Sequence, residues 1–163
     1  MAQRIAIIGH AAEKFTKQTE TKAKILIQNI FLDGAEDENP VLVSGRSPMG
    51  GIDVWAEEVA IRLGYDRQIF PPKRNQWESF KERNLEIARS CDVMYVIVVE
   101  EFPPEFKGKK FRDCYHCIFR QKRGMPLHIK SGACWTANKA IEHGIEVKWL
   151  IIAANGTIKR WEE

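Results

Sequence analysis

No stretch of this 163-residue sequence is apolar for long enough to cross a bilayer. Its start is not a leader either: Ile5, Ala6, Ile7 and Ile8 read as a buried strand. These absences point to a cytoplasmic protein with no membrane partner. Repeats, low-complexity tracts and linkers are also missing, so residues 1–163 are read as one domain, large enough to bury a sizeable core. An excess of either charge is lacking: 25 basic residues stand against 22 acidic ones. The net charge is +3 and spread along the chain, which does not argue for a dedicated nucleic-acid surface, although it leaves one open. Cysteine is sparse, at four residues. In a cytosolic chain such cysteines point to metal or redox chemistry, or to nothing, before structural disulfides. Two nucleotide motifs are absent. Gly45, Gly50 and Gly51 do not fit the dinucleotide pattern G-x-G-x-x-G, and no Gly-Lys-Ser/Thr follows to make a P-loop.

What is present centres on residues 40–64. Val41, Leu42 and Val43 are an apolar run with β-branched residues at both ends. Ser44, Gly45, Arg46, Ser47, Pro48, Met49, Gly50 and Gly51 follow as a glycine-rich loop, and an amphipathic segment over 52–63 closes the unit. This is strand, loop and helix. Such a unit suits anion binding, because glycines admit close backbone approach and the first amides of a helix are unpaired at its positive end. Arg46 adds a cation able to clamp a phosphate or carboxylate. Asp53, in the first helical turn, can accept from a ribose hydroxyl or simply start the helix. The plain alternative for the whole unit is a tight strand-to-helix turn.

The other elements follow from periodicity. After the first strand, Gly9 and His10 open a loop at the strand's carboxyl end, where open α/β sheets bind ligands. His10 there is a phosphate contact, an acid or base, or an ordinary loop histidine. A helix over 19–32 comes next. Arg67, Gln68, Ile69 and Phe70 form a short third strand stopped by Pro71 and Pro72. Lys73, Arg74, Asn75, Gln76 and Trp77 then make a basic loop with an aromatic, read as a solvated turn before a base-stacking one. A helix over 77–90 leads into a fourth strand over 93–99, ending at Glu100 and Glu101. A carboxylate there binds ribose, acts as a general base, or is merely solvated. Residues 131–140 begin the last helix, 145–152 form the fifth strand, and Asn155-Gly156 turns 157–161 back as an antiparallel edge. The expectation is a three-layer α/β domain with a mainly parallel five-stranded sheet in the order 3-2-1-4-5.

Residues 102–130 are an insertion after the fourth strand. It contains Cys114 and Cys117, and His128 and Cys134 follow in the pattern C-x2-C-x10-H-x5-C. Zinc takes about four such ligands in a tetrahedron. With few apolar residues to order it, the insertion is read as a lid held by a structural zinc on Cys114, Cys117, His128 and Cys134. A redox pair and buried thiols are the other readings, and His116 competes with His128 as a ligand. No redox cofactor is implied.

The string SGRSPMGGIDVWAEEVA resembles the SLOG superfamily of Rossmann-like nucleotide-binding domains. Its YspA-like members carry a segment of the form SGGARGVDRLAEEWA, a frame held here by Ser44, Gly45, Gly51, Asp53, Ala56, Glu57 and Ala60. The frame RN-x-x-x-A-x-x-x-D before an apolar strand is similar as well, and it implies that Arg83 and Asn84 lie near the ligand. Gly132, Ala133 and Thr136 match the superfamily's helix-opening turn. The resemblance runs over residues 5–152, is weakest in the insertion, and implies a ligand derived from a nucleotide, ADP-ribose-like or a nucleoside monophosphate. The implied site comprises Gly9, His10, Ser44, Gly45, Arg46, Ser47, Met49, Gly50, Gly51, Asp53, Arg83, Asn84, Gly132, Ala133 and Thr136. The superfamily also contains the LOG phosphoribohydrolases and the DNA-uptake protein DprA. The LOG signature P-G-G-x-G-T-x-x-E supplies a catalytic glutamate; here Ser131, Gly132, Ala133, Cys134, Trp135 and Thr136 are followed by Lys139. The expected function is therefore ligand binding in a sensor or accessory role. N-glycosidic cleavage is the alternative, and single-stranded DNA binding a weaker one. A homo-oligomer is compatible with all three.

Overall fold

The computed structural model describes residues 2–33, 39–108, 117–126 and 128–163. Cys114 and most of the basic run through Arg112 lie outside them. Strand β1 is Arg4–Gly9, α1 Lys17–Asp33, β2 Val41–Ser44, α2 Ile52–Leu63 and β3 Arg67–Ile69. Then come α3 Trp77–Ser90, β4 Val93–Val99, α4 Ile118–Lys122, α5 Gly132–Glu142, β5 Glu146–Ile152 and β6 Ile158–Glu162. The sheet order is β3-β2-β1-β4-β5-β6, with every pair parallel except β5 and β6. The expected order holds for the first five strands. The sheet has six, because the turn at Gly156 (φ 86) returns the chain far enough to pair Ile158 with Ile152 and Trp161 with Trp149.

Period-two alternation builds two cores from one sheet. Ile5 and Ile7 of β1 join Ile27 and Phe31 of α1 and Ile52, Trp55 and Val59 of α2 on one face. Ala6 and Ile8 join Ile87 and Ala88 of α3 and Ala137 and Ala140 of α5 on the other. The helices therefore flank the sheet in pairs, giving three layers. Helix α2 ends on Gly64 in the left-handed conformation, whose N–H returns to Ala60 and Ile61 carbonyls. Within the insertion, α4 is an element that periodicity did not reveal, being only five residues long. No helix among the described residues is long and apolar enough to cross a membrane.

The order matters for the site. The chain leaves β1 toward β2 on one side, while β4 lies on its other side. The connections after β1 and β4 thus diverge, and a crevice opens between them at their carboxyl ends.

Candidate functional site

A cavity of about 250 Å³ occupies this crevice. The turn after β1 supplies Gly9, His10 and Ala11, and a 3-10 turn over Ala12–Lys14 adds the Lys14 side chain. Ser47, Met49 and Gly50 come from the loop after β2, and Asp53 from the first turn of α2. Helix α3 contributes Trp77, Phe80, Arg83 and Asn84, and the start of α5 contributes Ser131, Gly132, Ala133 and Thr136. Four segments far apart in sequence thus meet where the topology leaves room.

Gly9 is required here by close approach: a Cβ would stand 2.6 Å from Cγ1 of Ile52 and against the Ile97 carbonyl. His10 is buried and fully engaged. Its Nδ1 accepts from the Val99 N–H at 3.2 Å, so Nε2 carries the proton and donates to the Ile129 carbonyl at 3.2 Å. Burial first, then the positive fields of Lys14 and His128, hold its pKa well below the ordinary histidine value, against the Ile129 bond. His10 is therefore a neutral pin between β1, β4 and the chain before α5, not an acid or base.

Of the two arginines expected at the ligand, only Arg83 lines the cavity. Arg46 does not line the cavity. It sits at φ 46, and its Nε donates to Oε1 of the buried Glu57 at 3.0 Å. Ser44 Oγ donates to the other oxygen of Glu57 at 3.3 Å. A carboxylate 5 % exposed demands a counter-charge, and Arg46 is the cation within reach. The Arg46 clamp expected from sequence is thereby corrected. Ser44, Gly45 and Gly51 also stand behind the cavity wall rather than in it.

Arg83 takes the position instead. Its side chain is 9 % exposed, and Nη1 donates to the Gly45 carbonyl across 38 residues of sequence. Asp53, with Oδ2 at 3.8 Å, is its ion-pair partner among the described residues. Buried Nε has no hydrogen-bond partner among them. Burial lowers the Arg83 pKa against the pull of Asp53. Burial also dominates at Asp53, raising its carboxyl from 3.8 to about 6; Arg83 opposes this, Glu57 adds to it, and the Ser47 backbone bond opposes it. Lys14 is a second cation of the site, its pKa lowered by burial against the fields of Glu13 and Cys134, with Nζ 5.6 Å from the Phe102 ring centroid.

Trp77, read from sequence as part of a solvated turn, is 45 % exposed yet lines the cavity. It meets Trp135 edge-on at 5.9 Å. Its place at the start of α3, one helical turn before Phe80 and two before Arg83 and Asn84, was the available signal. Lys14 and Ser131 carried no such signal. Glu100 pairs with Lys159, and neither it nor Glu101 reaches the cavity.

A second cluster lies behind α5. Cys117, His128 and Cys134 are all buried, and their ligand atoms lie within 4.8 Å of one another. Such a group is able to hold a metal ion. Nε2 of His128 is 3.4 Å from Cys117 Sγ and 3.0 Å from Cys134 Sγ, and its ring packs on Trp149 at 5.1 Å. Cys91 stays apart, its thiol pushed up to about 12 by burial and then by Asp92. No family model, curated protein or solved structure matches this chain.

Proposed function

We propose that this chain binds a nucleotide-derived anion in the β1–β4 crevice, of nucleoside monophosphate size, in a sensor or accessory role. Arg83 carries the reading. This guanidinium is nine-tenths buried, its Nε has no hydrogen-bond partner among the described residues, and its ion pair with Asp53 is long at 3.8 Å. A phosphate oxygen in the cavity would give it a further partner through a charge-assisted bond. The start of α5 adds a helix N-terminus, the end that favours anions, and Trp77 and Phe80 offer aromatic surface for a base. A volume of about 250 Å³ lies at the small end for ligand pockets, roughly 300–1,000 Å³, which favours a monophosphate over an ADP-ribose-sized molecule. The resemblance to SLOG domains supports the same class. A cytoplasmic setting and a structural zinc on the Cys117, His128 and Cys134 cluster belong to this reading.

One observation favours N-glycosidic hydrolysis as a second reading. Asp53 lines the cavity and titrates near 6, so close to neutrality it can take or give a proton where the motif glutamate is missing.

Calorimetry with AMP tests the first reading. Binding is expected, and Arg83→Gln should weaken it by about 1.5–3 kcal/mol, roughly ten- to a hundredfold. Absence of binding for AMP, CMP and ADP-ribose at millimolar concentration, or an unchanged affinity in a folded Arg83→Gln variant, overturns it. Release of adenine from AMP that Asp53→Asn abolishes would establish the second.

A further inference from the structure

His128 and Cys134 bracket, in sequence and in space, the turn that forms one wall of the cavity. Between them lie Ile129, whose carbonyl accepts from the buried His10, and Ser131, Gly132 and Ala133, which line the cavity. The sulfurs of Cys117 and Cys134 both approach the same nitrogen of His128, at 3.4 and 3.0 Å. Two sulfurs and a ring nitrogen are donors of the kind zinc takes, and one ion between them would bind all three at once. Zinc with sulfur at about 2.3 Å and nitrogen at about 2.0 Å places neighbouring tetrahedral ligands about 3.6 Å apart, so the nitrogen and the two sulfurs, at 3.4 and 3.0 Å, would have to open slightly to admit the ion. The site is almost wholly enclosed: Cys117, His128 and Cys134 are 0, 3 and 1 % exposed.

We propose that a zinc ion held by Cys117, His128 and Cys134 clamps both ends of the 128–134 turn, and that this clamp sets the cavity wall at the start of α5. The proposal rests on the ligand-binding reading for its effect on affinity, but not for its effect on the turn. Two contacts join the cluster to the cavity: His10 reaches Ile129, and Ser131 Oγ stands 3.9 Å from Cys134 Sγ. Cys117, from the start of α4, is the ligand outside the turn, so the metal ties the turn to a separate element. Losing the ion leaves the turn held by its own hydrogen bonds. A ligand seated on the α5 amides and the clamp then stabilise the same arrangement, and coupling between them is reciprocal.

The test uses the full chain, zinc-loaded and zinc-stripped, with Cys117→Ser as a variant that leaves the turn's own residues intact. Elemental analysis should find about one equivalent of zinc in the parent, and the cobalt-substituted protein should show thiolate charge-transfer absorption. Zinc removal should speed amide hydrogen exchange over residues 128–136 while β1, β4 and β5 keep their protection. It should also weaken AMP binding by about tenfold or more. Less than a tenth of an equivalent of zinc after saturation, or identical exchange over 128–136 with and without it, overturns the proposal. Faster exchange with no AMP binding in either form supports the clamp and defeats the ligand reading. Equal AMP affinity with and without zinc overturns the link between clamp and cavity wall.

Discussion

Asp53 and Arg83 face each other without satisfying each other. At 3.8 Å the attraction does not offset the burial of the carboxyl, so Asp53 holds its proton up to about 6. The native state thus binds this proton more tightly than the unfolded chain does. Stability from Asp53 is full below about 4 and is lost as pH rises through 6. From 3.8 to about 6, at about 1.4 kcal/mol per pKa unit, the change reaches up to about 3 kcal/mol. Asp53→Asn cannot titrate. Urea unfolding of parent and variant at pH 4 and pH 7 should therefore show the parent losing ground by up to that amount. A difference that stays constant over this range would contradict the buried, poorly paired carboxyl. The same poor pairing leaves room for a ligand anion at Arg83.

At the scale of elements, the loop between β2 and α2 uses its glycines for different ends. Gly51 caps α2 at φ 89, and a Cβ there would come within 2.6 Å of the Ala12 backbone nitrogen. Gly45 has Arg83 lying on it: a Cβ would come within 2.6 Å of the arginine Cδ. Backbone cannot yield, whereas a side chain swings away. Gly51→Ala should cost more than about 2 kcal/mol of stability, from strain at positive φ plus displacement of the β1 turn. Gly45→Ala should cost less than about 1 kcal/mol while dislodging Arg83. Urea midpoints rank the two, and the reverse order would refute this account of the loop. Strand, glycine-rich loop and helix were legible at residues 40–64 because β-branched runs, glycines and 3.6-residue periodicity are local signals. The partner of each side chain in that loop was not, since Arg83 arrives from 38 residues away.

Over the whole molecule, one sheet serves both cores. Ile5 and Ile7 face one, Ala6 and Ile8 the other, and Trp149 is fully buried with its Nε1 donating to Glu163 of the last strand's end at 3.2 Å. Neither layer of helices can leave without exposing a face of the shared strands. The chain should therefore unfold in one transition, with far-UV circular dichroism and tryptophan fluorescence coincident. Two resolved steps would divide the chain into separate units. The sixth strand is the antiparallel edge that the turn at Asn155-Gly156 announces, added to the five parallel strands, and β5 is covered on both sides as a result.

The order of the strands and of the longer helices, the parallel pairing and the convergence of three small-residue turns on one sheet edge were determined by sequence alone, whereas the five-residue α4 was not. Each of those three rests on local periodicity or on connection rules that every α/β chain obeys. The grouping of Cys117, His128 and Cys134 was legible as spacing, while Cys114 lies outside the described residues. Tertiary structure decided how the charges are shared out. Arg46 answers Glu57, Arg83 is left facing the cavity, His10 is spent on two backbone groups, and Trp77 at the start of α3 borders the cavity. The physical reason is that buried charges and polar groups choose partners by proximity after packing, and proximity between residues 10, 53, 83 and 131 exists only once the sheet has been assembled.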